Sequence, residues 1–118
     1  MARELVDASI KVHRILGPGL LESAYEACLV HELVHRGIPV RTQVPIPITF
    51  EGMNLEAGFR ADLLLGNGII VELKSVEKLL KIHEAQLLTY LKLARVRLGF
   101  LINFNSVPLK EGIKRMVL

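Results

Sequence analysis

Asp62, Glu72 and Lys74, spaced Asp-x(9)-Glu-x-Lys on two short apolar runs, are the residues of this 118-residue chain whose types and spacing could do chemistry. The runs Phe59–Leu65 and Ile69–Lys74 flank Gly66-Asn67-Gly68, residue types that tolerate the positive φ of a tight turn, so they read as an antiparallel hairpin. A turn centred on Asn67 sets Asp62 opposite Glu72 and Arg60 opposite Lys74, with all four side chains on one face. Two opposed carboxylates repel, so the pairing calls for a compensating cation. A divalent metal meets that need. Magnesium takes a few carboxylates, water and a substrate phosphate, and a neighbouring lysine could orient the attacking water or stabilise developing negative charge. An ion-pair lattice of Arg60, Asp62, Glu72 and Lys74 on a solvated sheet face would use the same residues without a metal. Against the lattice, the two strands are otherwise almost wholly apolar and the charge is gathered on this one hairpin.

The elements that must position these groups can be read along the chain. Leu5, Ala8, Val12 and Ile15 recur at helical spacing until Gly17-Pro18-Gly19 breaks the pattern. A second helix runs from about Leu20 to Arg36, stopped by Gly37 and Pro39. Within it Glu22 shares a stripe with Leu29 and Leu33 and either points inward or serves as a first-turn acid favoured by the helix dipole. Cys28 falls in the apolar pattern and reads as core. Val40–Phe50 is rich in β-branched residues, but Pro45 and Pro47 confine it to an edge or irregular strand, and Glu51-Gly52 reads as the turn after it. Beyond the hairpin, a helix from about Leu79 to Ala94 places Leu80, Leu87, Leu91 and Ala94 on one face. His83, Gln86 and Tyr90 form a polar stripe along its edge, which is either boundary packing or an approach to the site. Val96–Asn103 reads as a buried strand, and Leu109–Leu118 as either a last edge strand or a short helix. The order is ααβββαβ, one α/β domain over residues 1–118.

Composition narrows the function classes. The lone cysteine excludes an intramolecular disulfide, and no Cys/His spacing suits zinc. Charged residues interrupt every apolar stretch near the N-terminus and elsewhere, so neither a signal peptide nor a membrane span is expected, and a cytoplasmic location is the default. Net charge is +3 with a pI near 9.2, compatible with polyanion binding without announcing it. Residues 1–61 carry six Lys or Arg against seven acids, whereas residues 62–118 carry nine against five, so any nucleic-acid contact belongs to the second half. Lys78, Lys81 and Lys92, on or just before the helix that carries Gln86, are the candidates.

Gly19-Leu-Leu-Glu22-Ser-Ala-Tyr25 resembles the signature of the GxxExxY protein family. It is followed by Gly58-Phe-Arg60-Ala-Asp62, Val71-Glu72-Leu73-Lys74, His83-Glu-Ala-Gln86-Leu-Leu-Thr-Tyr90 and Leu101-Ile-Asn103-Phe-Asn105, so the likeness spans nearly the whole chain. That family is grouped with the PD-(D/E)XK nuclease superfamily, and the Gln86-to-Tyr90 spacing is similar to the Q-x-x-x-Y element of RecB-type exonuclease domains. The resemblance implies a restriction-endonuclease-like core, with a mixed central sheet flanked by helices. It also implies Asp62 and Glu72 as ligands of Mg2+ or Mn2+, Lys74 as the catalytic lysine, and Glu22 and Gln86 as supporting members of the site.

Two classes of function follow. One is a metal-dependent nuclease cleaving phosphodiester bonds, with DNA preferred over RNA as substrate and a homodimer as a way for so small a domain to span a duplex. The other is a non-catalytic module that keeps the fold and binds nucleic acid or a protein partner. Metal-dependent cleavage separates them.

Overall fold

The structure is a computed structural model, and it describes residues 1–66 and 68–118; Asn67, on which the expected turn is centred, lies outside the described residues. Helix α1 (Ala2–Leu16) buries Leu5, Ala8, Ser9 and Val12, the i, i+3, i+4, i+7 stripe of an amphipathic helix. Ser9 is accommodated because its hydroxyl donates to the carbonyl of Leu5 at 2.8 Å. Ile15, which the spacing assigns to the same face, is 70% exposed, whereas its neighbour Leu16 packs against the core, so the buried stripe continues from Val12 to Leu16 and leaves Ile15 outside it. Helix α2 (Glu22–His35) buries Tyr25, Leu29 and Leu33. It ends in a Schellman-type stop: Gly37 adopts φ 80, its N–H donates to Val34, and the N–H of Ile38 donates to Leu33. Cys28 is exposed, contrary to the core assignment, because it lies off the Tyr25–Leu29–Leu33 stripe.

Strands β1 (Val40–Phe50), β2 (Met53–Leu65), β3 (Ile69–Lys74), β4 (Leu98–Asn103) and β5 (Ile113–Val117) form one sheet in the order β1-β2-β3-β4-β5. The edge position of β1 accommodates Pro45 and Pro47. Strands β3 and β4 are parallel and all other pairs antiparallel, so the sheet is mixed. Helix α3 (Lys81–Ala94) provides the crossover that parallel neighbours require. The tail forms both of the elements that its composition leaves open, a 3-10 turn at Leu109–Gly112 and then the edge strand β5.

Two apolar layers sandwich the sheet. Leu5, Leu29 and Leu33 of the first two helices pack with Leu63, Leu65, Val71, Leu73 and Ile102. Leu87 and Leu91 of α3 pack with Ile46, Ala61, Ile70 and Leu101 on the opposite side. Leu80 stays 53% exposed at the start of α3, short of that layer. Strand β3 is thus covered on both faces, which explains its unbroken Ile-Ile-Val run. At Gly99 of β4 an added Cβ would come within 3.1 Å of Leu87 and Leu91, so this glycine lets α3 lie close against the sheet. Among the described residues, no helix is long and apolar enough to cross a membrane.

Candidate functional site

The hairpin of β2 and β3 pairs Leu65 with Ile69, Leu64 with Ile70 and Leu63 with Val71, the register expected of a turn at Asn67, and there the ladder stops. Beyond it the carboxylates take the place of main-chain acceptors. The N–H of Asp62 donates to Glu72 Oε1 at 3.2 Å, and the N–H of Leu73 donates to Asp62 Oδ2 at 2.8 Å. Asp62 and Glu72 are therefore brought together across strands that have ceased to pair. The register does not extend to Arg60, which pairs with Pro45 on β1 and is exposed; the expected Arg60–Lys74 opposition is absent because side chains have replaced the ladder two residues earlier.

A second irregularity meets the same spot. Ala61 packs on the α3 side whereas Leu63, two residues on, packs on the α1/α2 side, so the usual alternation breaks at Asp62. Across from it, between the pairs Thr42–Leu63 and Val44–Ala61, Gln43 adopts φ 50, a left-handed conformation costing a side-chain-bearing residue about 1–2 kcal/mol. The Gln43 amide donates to Glu26 Oε1 at 2.8 Å and, more distantly, to Asp62 Oδ1 at 3.4 Å.

Glu72 is 7% exposed. Burial pushes its carboxyl up to about 8, and the Asp62 charge beside it adds to the rise; the Asp62 N–H and the Lys74 charge pull the other way without overcoming it. Burial also raises Glu26, against the Gln43 hydrogen bond, with Asp62 adding to the rise. Tyr90 of α3 is raised as well, first by burial and then by the charges of Glu72 and Asp62, and its ring packs against Phe59 at 4.7 Å between centroids.

Lys74 ends β3, half-buried, and its charge is felt at Glu72 although it forms no direct ion pair among the described residues. Its backbone is held from β4: the Lys74 carbonyl accepts from the N–H of Phe104 at 2.9 Å. Buried Asn103 clamps the next segment, its amide donating to the Val76 carbonyl at 2.9 Å and its oxygen accepting from the Val76 N–H at 3.0 Å. Glu22 reaches this segment from α2, where its Oε2 accepts the N–H of Ser75 at 3.2 Å, one residue past Lys74. The residues around it explain the local motif. Gly19 takes φ 97 and donates its N–H to Asn105 Oδ1 at 2.8 Å. Buried Tyr25 stacks on Phe104 at 4.4 Å, donates to the Gly17 carbonyl and accepts from the N–H of Leu20, pinning the loop from which Glu22 projects.

Gln86 is exposed, one turn before Tyr90, and makes no hydrogen bond to the acid pair among the described residues. His83 takes a local role: its Nδ1 accepts the N–H of Leu80 at 3.0 Å, closing the first turn of α3. Lys78, Lys81 and Lys92 are all exposed, and the last two are separated by about 16 Å along the helix axis. Glu26 and Gln43 are absent from the sequence-based site. Glu26 carries a weak signal, one helical turn after Glu22, whereas nothing in the sequence distinguishes Gln43.

Among the described residues no group of three or more His, Cys, Asp or Glu gathers as a ready-made metal cage. The pair of carboxylates nevertheless fits a hard divalent cation. The donors are oxygen only, one of them is buried against like charge, and magnesium completes its shell with water and substrate oxygens rather than with protein alone.

Among known families, the sequence model of the PD-(D/E)XK nuclease superfamily matches the chain over residues 1–116. No curated protein and no solved structure matches the chain.

Proposed function

We propose, given that this chain belongs to the PD-(D/E)XK nuclease superfamily, that it is a divalent-metal-dependent hydrolase of phosphodiester bonds in DNA. The observation that carries the reading is the Asp62–Glu72 pair, with Glu72 buried and raised to about 8 and Lys74 one residue beyond Leu73. A cation such as magnesium or manganese would supply charge neutralisation at the scissile phosphate and acidify water at neutral pH.

The chain's own residues divide the remaining work. Asp62 and Glu72 hold the cation and, through their bonds to main-chain N–H groups, keep a fixed separation. Lys74 presents an ammonium where negative charge develops or where water attacks. Glu22 orients the Ser75 amide and thereby the end of β3. Gln86 and Tyr90 line the approach along α3, and Lys78, Lys81 and Lys92 contact the DNA backbone. A homodimer would let so small a domain address both strands of a duplex. The likeness to the GxxExxY group, carried by Gly19, Glu22 and Tyr25, supports the same assignment.

The test is a cleavage assay on linear, nicked, single-stranded and branched DNA and on RNA, with magnesium, with manganese and with chelator. Expected is metal-dependent cleavage of at least one DNA substrate that Asp62→Asn abolishes. Failure to cleave any substrate with either metal would refute the enzyme reading and favour a non-catalytic binding module.

A further inference from the structure

Asp62 is gripped on both oxygens. Its Oδ2 accepts the N–H of Leu73 at 2.8 Å, and its Oδ1 faces the amide of Gln43 at 3.4 Å. Gln43 is in turn tethered to α2 by its 2.8 Å bond to Glu26 Oε1. The residue sits in the left-handed region, φ 50, in the middle of an edge strand, where an unbranched polar side chain has no intrinsic reason to be. That conformation lies opposite Asp62, at the point where β2 changes the face it presents to the two apolar layers. Backbone held away from its preferred state at a candidate site is a feature that the surrounding contacts must enforce.

We propose that Gln43 is a positioning residue for the cation site: its amide, anchored by Glu26, fixes the plane of the Asp62 carboxylate and stands as a neutral donor between two acids. The proposal rests on the metal-site reading above. A carboxylate oxygen accepts two hydrogen bonds, so Asp62 bonded once on each oxygen keeps one acceptor site on each for a cation. Glu26 and Asp62 both face the Gln43 amide, and without its N–H groups their charges would meet directly. By this route α2 supports the site at two places, through Glu22 at Ser75 and through Glu26 at Gln43.

The experiment measures manganese affinity by calorimetry on the whole chain, together with thermal melting in chelator. Gln43→Gly removes the amide and suits the positive φ, and Gln43→Asn also tolerates that φ but is one methylene too short to link the acids. Expected for both is manganese binding weakened about tenfold or more, the usual effect of losing an outer partner of a ligand, with melting in chelator no lower than that of the wild type. Glu26→Ala should weaken binding less, and the Gln43→Gly/Glu26→Ala double variant no more than Gln43→Gly alone, because both act through one link. Affinity in both Gln43 variants within twofold of the wild type would overturn the proposal and leave the metal site standing. Losses that multiply in the double variant would overturn the link to Glu26. A wild-type chain that binds no manganese would overturn both the proposal and the metal-site reading.

Discussion

Replacing Glu72 with glutamine should change how stability depends on pH, and by an amount that follows from the burial of this one carboxyl. Glutamine keeps the length and an oxygen to accept the Asp62 N–H, but it does not titrate. In the metal-free protein Glu72 titrates at about 8, against the ordinary 4.5. The folded state therefore holds this proton more tightly than the unfolded chain. The stability it contributes is complete below about pH 4.5 and is lost as pH rises through about 8. Between those limits the loss is about 1.4 kcal/mol per pH unit, or about 3 kcal/mol from pH 5 to pH 7.5. Urea denaturation in chelator at several pH values gives the unfolding free energy of each protein. Groups whose titration does not depend on Glu72, among them the raised Glu26, are common to both proteins and cancel in the difference. Wild type minus Glu72→Gln should fall by about 3 kcal/mol across that range. A difference that stays constant to within about 1 kcal/mol would show that Glu72 is solvated or already compensated, and the argument for a cation at this pair would lose its basis.

In Lys74→Met the stem and most of the volume remain while the charge goes, so cleavage should slow by about two to three orders of magnitude with little change in DNA binding in calcium; turnover at the wild-type rate would reduce Lys74 to a counter-charge for Glu72. DNA affinity should fall as salt rises, and replacing Lys78, Lys81 and Lys92 with glutamine should flatten that dependence, as read by fluorescence anisotropy. Tyr25→Phe keeps the stack on Phe104 but loses the bonds to Gly17 and Leu20, at a cost of about 1–3 kcal/mol in chemical denaturation.

The hairpin could be read from residue types because glycines flank its turn and apolar runs flank the glycines, and three of its pairs fall in the expected register. The same reasoning fails at Arg60, because it continues a regular ladder past the point where Asp62 and Glu72 substitute for it. Strand β2 begins at Met53 rather than at Phe59: Asn54, Glu56 and Gly58 have low strand preference, but Met53, Asn54 and Leu55 pair with Phe50, Thr49 and Ile48 and carry the strand back beyond the register shift. Cys28 looks like core in an apolar helix, and only the docking of α2 through Tyr25, Leu29 and Leu33 shows that it faces outward. Glu22 and Tyr25 stand out through their motif, whereas Gln43 is invisible, since glutamine carries no preference for positive φ and its role depends on chain partners at Glu26 and Asp62.

Strands β2 and β3 are finished by side chains where their main chains part, and this gives the site a spectroscopic handle of its own. The amide protons of Asp62 and Leu73 are bonded to the carboxylate oxygens that a cation would engage. Their chemical shifts and exchange rates should respond to ionisation of the pair and to its occupancy in the absence of any substrate, while amides of the paired segment Leu63–Leu65 should stay silent. Two backbone resonances would then distinguish a filled acid pair from an empty one with no nucleic acid present.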